Sequence, residues 1–164
     1  MQRSARGFAT AISAAAPHDA PNAATLARAE ALWHARAMFD LEGIDHVALA
    51  VRDVGQTLRW YVDVLGFEHL HQGMWDGVPV FVGKGTTALA LFPARDGARE
   101  PSGRPDHIGM LHLAFRATRK EFGAAQTELR QRDIIFQSED HEISESIYFA
   151  DLDGNQLEIT TYEV

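Results

Sequence analysis

Gly43-Ile44-Asp45-His46-Val47-Ala48-Leu49 returns 66 residues later as Gly109-Met110-Leu111-His112-Leu113-Ala114-Phe115. Both copies read glycine, two variable positions, histidine, an aliphatic, alanine and an apolar residue. Around each copy the same succession of patterns follows. Residues 44–51 alternate as a strand, and 53–65 carry an apolar stripe of helical period (Leu58, Tyr61, Val62, Leu65). Asp53 is placed to cap that helix and Gly66 to stop it. Short strands are predicted at 67–74, 78–83 and 87–92. After a Pro-, Gly- and Arg-rich connection at 93–108, the second copy predicts a strand at 109–115, a helix at 118–132, and strands at 134–138, 145–150 and 155–162. A repeat of one β-α-β-β-β unit is therefore expected, with modules at 43–93 and 109–163. A half of this size buries too little surface to stand alone, so the two are expected to share one core and frame a cleft.

Strand alternation assigns the faces. Val47, Leu49 and Val51 belong on the helix side, which leaves His46 on the opposite face with Ala48 and Ala50. Leu111, Leu113 and Phe115 belong on the helix side, which leaves His112 facing away. In the last strand Leu157 and Ile159 point to the core, while Gln156, Glu158 and Thr160 face away. A carboxylate in an apolar strand is costly unless something pairs with it. If both modules turn these faces to one cleft, His46, His112 and Glu158 meet. Two imidazoles and one carboxylate form the facial triad suited to non-haem Fe(II), with open positions for substrate and O₂. Aligning the repeat places Ala90 opposite Glu158, so only one module supplies a carboxylate.

These features resemble the glyoxalase / bleomycin-resistance / extradiol-dioxygenase superfamily, whose fold is called vicinal oxygen chelate. The resemblance covers about residues 43–162 and implies an α+β fold of two βαβββ modules forming one cleft-containing sheet, with an N-terminal helical extension. It implies metal ligands on the first strand of each module and on a last strand, here His46, His112 and Glu158. Ala90 stands where glyoxalase I-like enzymes place a fourth, carboxylate ligand. Bleomycin-binding members lack a metal set, and fosfomycin-modifying thiol transferases share the His, His, Glu set. The extradiol dioxygenases add a local signature, met here in His141-Glu-Ile-Ser-Glu-Ser-Ile147-Tyr148-Phe-Ala-Asp151-Leu152-Asp153-Gly154-Asn-Gln-Leu-Glu158. Leu152 replaces the usual proline, and Glu139 stands where a small or aliphatic residue is usual. His107 is the weak counterpart of a further active-site histidine that two-domain dioxygenases carry before the second ligand.

The resemblance implies a divalent metal, Fe(II) first and Zn²⁺, Ni²⁺ or Mn²⁺ as alternatives. It implies a small catechol-like substrate chelated through vicinal oxygens and cleaved with O₂. Tyr148 then hydrogen-bonds the substrate, or else is a cleft-wall tyrosine with a satisfied hydroxyl. His141 then serves as general acid or base, or else is a solvated loop histidine. A lyase, isomerase or thiol transferase at the same metal, and a metal-free small-ligand binding protein, are the competing expectations. Met74, Trp75, Phe81, Phe92 and Met110 are candidates to line an apolar pocket, with at least half expected in the core. His69 and His71 alternate on one predicted strand, and Asp153-Gly154-Asn155 reads as turn chemistry.

The remainder of the chain narrows the classes. A net charge of −8 argues against nucleic acid, whose phosphates call for a basic surface. No apolar run approaches the roughly 20 residues that span a bilayer. The absence of cysteine rules out disulfides and thiolate ligands and suits a cytoplasmic location. Residues 1–21 are Ala- and Ser-rich with early arginines, which suits a flexible tail or, over 1–16, an organellar transit peptide. Residues 22–41 read as a helix capped by Asn22, with Leu26, Ala29, Trp33 and Ala37 on one face that offers a surface for homodimerisation. The single domain is expected at 42–164.

Overall fold

In the first module of the computed structural model, β1 (Val47–Val51) leads through Asp53 into α1 (Val54–Leu65). The Asp53 carboxylate accepts the Gln56 N–H at 2.8 Å and satisfies one of the free donors of the first turn. Gly66, at φ 65°, closes the helix with its N–H on the Val62 carbonyl, a left-handed position that glycine takes without a Cβ clash. Strands β2 (Glu68–Leu70), β3 (Val80–Lys84) and β4 (Thr87–Pro93) follow. The second module repeats the order with β5 (Leu113–Arg116), α2 (Arg119–Gln131, capped by Thr118), β6 (Gln137–Asp140), β7 (Glu145–Ala150) and β8 (Gln156–Thr161). The structure describes Ala24 and residues 41–101 and 109–164. The predicted tail, nearly all of the predicted N-terminal helix, and His107 lie outside the described residues.

Each module folds its strands into its own four-stranded mixed sheet, in the orders β1-β4-β3-β2 and β5-β8-β7-β6, so the single sheet expected is two, with no strand pairing between the modules among the described residues. The first strand runs parallel to the last, and the remaining pairs are antiparallel. Ala48 pairs with Ala90 and Ala114 pairs with Glu158, so these two partners occupy equivalent places, as the repeat predicted.

Several predicted strands have different bounds. β1 and β5 begin one residue after His46 and His112, so both histidines stand at a strand's entrance. β2 stops at Leu70 because His71 turns to φ 52°, which takes His71 off the strand that carries His69. The strand expected at 134–138 lies at 137–140. Asp133 (φ 55°) reverses the chain after α2, and Ile134 bonds back to the Leu129 carbonyl before a ladder can start.

One apolar core joins the modules. Leu49, Val51, Val82, Leu89 and Leu91 from the first sheet pack in the same cluster as Ile147, Phe149, Leu157 and Ile159 from the second. Each such side chain, fully buried, contributes roughly 1.5–3 kcal/mol. α1 reaches across: Trp60 lies 6.5 Å from Phe149 between ring centroids, and Phe67, just past the helix, meets Phe115 edge-on at 5.6 Å. Of the five residues considered for a pocket, none is in the core. Met74, Trp75, Phe92 and Met110 are exposed and Phe81 is half-buried.

The β7–β8 turn adds a polar clamp between the modules. Buried Asp153 accepts the Arg52 N–H at 3.0 Å and the Thr57 hydroxyl at 3.2 Å. Asp151 accepts the Tyr61 hydroxyl at 3.0 Å together with N–H groups of its own turn. This segment is turn chemistry, as read from the sequence, and it also fastens one module to the other. Because both sheets give their helix sides to the shared core, the faces that carry His46 and His112 both point outward.

Candidate metal and substrate site

On the outward face of the second module, β8 presents Glu158 and β7 presents Ser146 and Tyr148. The register sets Tyr148 across from Glu158 and Ser146 across from Thr160. His112 enters β5 beside them, and its Nε2 lies 2.9 Å from Glu158 Oε2. Glu158 is 7% exposed. Its second oxygen accepts the Ser146 hydroxyl at 2.6 Å, and Ser146 lies 3.0 Å from the Thr160 hydroxyl. Glu158 is thus oriented by Ser146 with one oxygen turned to His112.

Tyr148 stands against His112, edge to face, with ring centroids 5.7 Å apart. Its hydroxyl shares a hydrogen bond of 3.1 Å with His141 Nε2. Burial, and then the charge of Glu158, hold the phenol above its ordinary pKa, so it remains a donor at neutral pH. Glu139 lies 3.8 Å from His141 Nε2. The structure therefore brings together four of the five predicted site residues: His112, Glu158, Tyr148 and His141.

His46 is the exception. It lies on the outward face of the first module, against Phe81, with its Nδ1 2.6 Å from the Asp45 carboxylate. With Nδ1 against Asp45, Nε2 is the ring nitrogen left to face a ligand, the orientation a ligating histidine takes. Among the described residues, no three His, Asp or Glu side chains converge in one chain on a point that would hold a metal. Both histidines lie exposed, outside the core that the two modules share. The donor set of the second module nonetheless fits a divalent cation. A neutral imidazole and an oriented carboxylate suit one, and cis ligands at roughly 2.0–2.2 Å from a metal lie about 3 Å apart, close to the observed separation. Strand parity with Tyr148 puts Ser146 on this face, but its hold on Glu158 is not legible in the sequence.

The family model of the Glyoxalase/Bleomycin resistance protein/Dioxygenase superfamily matches residues 43–159. The chain belongs to this superfamily. Its α+β architecture of two repeated modules is the one the repeat predicted. A metallothiol transferase FosB of Staphylococcus epidermidis is 27% identical over 74% of this chain and 84% of its own length. The catechol-2,3-dioxygenase of Bacillus subtilis is 29% identical over 71% of this chain, a match that spans 40% of that longer protein. The crystal structure of a glyoxalase/dioxygenase from Nostoc punctiforme, 26% identical, superposes with a TM-score of 0.62 over 77% of this chain and 94% of its own. Superfamily enzymes use divalent metals and act on small molecules. No helix among the described residues is long and apolar enough to cross a membrane.

Proposed function

We propose that this superfamily member is a metal-dependent dioxygenase of the extradiol type, acting on a small catechol-like substrate. The observation that carries the reading is the Tyr148–His141 pair, 3.1 Å apart, beside His112 and Glu158. In this reading the protein works as a homodimer. His112 and Glu158 of one copy hold the metal together with His46 of a second copy, because the His46 face is turned outward and needs a partner to complete it. Bound there, a divalent metal, Fe(II) first, supplies Lewis acidity to the substrate's vicinal oxygens and an open position for O₂.

The chain's own groups do the rest. Ser146 holds one Glu158 oxygen, which presents the other in a fixed direction. Tyr148, kept protonated with its O–H on His141 Nε2, accepts a hydrogen bond from a substrate hydroxyl. His141 Nε2 accepts a proton through Tyr148 or directly from the substrate, and returns it to the product. A second reading, a thiol transferase on the same ligands, is favoured by the staphylococcal relative, which matches over most of its own length.

Two measurements test the proposal. Anaerobically purified protein loaded with Fe(II) is expected to consume O₂ when catechol is added. A silent Fe(II) form, with activity instead in the presence of Mn²⁺ or Zn²⁺ and a thiol, would replace the first reading by the second. For the divided site, His46→Ala and His112→Ala are each expected to lose metal, and mixing and refolding the two should restore part of it. A mixture as metal-free as its components would refute a site shared between copies.

A further inference from the structure

The two outward faces are built on one plan with different chemistry. In the first module Phe81 pairs with Ala90, as Tyr148 pairs with Glu158 in the second. Phe81 therefore stands in the place of Tyr148. The likeness extends to the neighbours. His46 meets Phe81 at 5.2 Å and 69°, and His112 meets Tyr148 at 5.7 Å and 72°. A second histidine abuts each ring from the connection after the module's second strand: His71 on Phe81 at 5.6 Å and 80°, and His141 on Tyr148 at 6.3 Å and 88°. Each face is a six-carbon ring flanked by two imidazoles.

The first module lacks the polar groups of the second: Phe81 has no hydroxyl, and Ala90 replaces the carboxylate. Ala48 and Ala50 keep the floor beside His46 low. In their place the first module adds Trp75. Its ring is tilted 34° to Phe81 at 5.1 Å and meets His71 edge-on at 5.7 Å, and the residue remains 50% exposed. The segment that sets it there is sterically costly. His71, Trp75 and Asp76 all have left-handed φ, of 52°, 54° and 52°, a conformation that bulky residues rarely adopt. Strain of this kind persists where surrounding structure imposes it, and it gathers at ligand sites.

We propose that His71, Trp75 and Phe81 form a platform for the flat apolar body of the substrate, next to His46. The inference rests on the divided metal site proposed above. In that arrangement one wall of the closed site is polar and metal-binding, and the other is aromatic. The substrate class that fits both walls is a planar aromatic vicinal diol, fused bicyclic ones included, in preference to a small aliphatic hydroxy acid. The diol oxygens address His112 and Glu158, and the ring lies against Trp75. Offset and edge-on ring packing adds to the gain from burying apolar surface, so the platform's effect falls on the aromatic ligand alone.

Calorimetric titration of Zn²⁺-loaded protein with naphthalene-2,3-diol and with glycolate tests this, using the wild type, Trp75→Ala and Trp75→Phe. Zinc content and sedimentation are measured on the same samples. Trp75→Ala is expected to bind the naphthalenediol about tenfold more weakly, with glycolate binding, zinc content and oligomeric state unchanged. Trp75→Phe should keep most of the affinity. Wild-type affinity in Trp75→Ala, an equal loss for both ligands, or dissociation of the dimer with loss of zinc would overturn the platform; the last would make the cluster a subunit contact. The two readings fail separately. A wild type that takes up no zinc yet binds the naphthalenediol through Trp75 upholds the platform and sinks the metal site. Normal zinc uptake with glycolate binding, and naphthalenediol binding indifferent to Trp75, does the reverse.

Discussion

Glu158 shows at the scale of one residue how a costly group becomes useful. Buried almost completely, the carboxylate keeps one oxygen on Ser146 and offers the other to His112. Ser146→Ala is expected to leave the fold intact, since Thr160 still reaches the Glu145 carbonyl. It should weaken divalent-metal affinity about 10–100-fold, the range found when a group that orients a ligand is removed. Metal titration of the variant checks this. Tyr61 gives a second residue-scale prediction. Burial first, and then Asp151, push its phenol pKa far above the ordinary value. The raised folded value means that Tyr61 supports the fold fully below about pH 10 and that this support is lost as pH rises further. Stability should then fall by up to about 1.4 kcal/mol per pH unit from this group. Urea unfolding at pH 9 to 11 is expected to show that slope, and Tyr61→Phe should flatten it.

At the scale of elements, alternation and caps made most of the fold readable. Asp53 and Gly66 act locally, within a few residues, and the structure uses them as the pattern predicted; Thr118 caps the second helix in the same local way. β7 and β8 formed where expected, and the Ala48–Ala90 and Ala114–Glu158 pairings bear out the repeat alignment. What local pattern missed were the places where backbone conformation overrides alternation: His71 at the end of β2 and Asp133 before β6. The β3–β4 hairpin carries a close approach that the sequence did not reveal. A Cβ at Gly83 would collide with the Thr87 carbonyl oxygen and crowd Leu70. Gly83→Ala is therefore expected to destabilise the protein by about 1–3 kcal/mol, as overpacking does. Denaturant midpoints would show it, and an unchanged midpoint would mean that the hairpin relaxes freely.

At the scale of the molecule, the clamp at Asp153 ties the turn before Glu158's strand to the start of α1. Asp153→Ala leaves the Arg52 N–H and the Thr57 hydroxyl without their acceptor in a half-buried place. A loss of about 2–3 kcal/mol is expected in urea unfolding. The sequence by itself determined the repeated module, the face on which each candidate ligand lies, and the asymmetry between Glu158 and Ala90. Periodicity and capping act over a few residues, so they are legible in one dimension. Only the tertiary structure decided which faces share a core. It turned both ligand faces outward, joined His112, Glu158, Tyr148 and His141, and set His46 among aromatic rings on the other module. That choice depends on how residues about a hundred positions apart, such as Thr57 and Asp153, meet and exclude water. No local pattern encodes such a meeting.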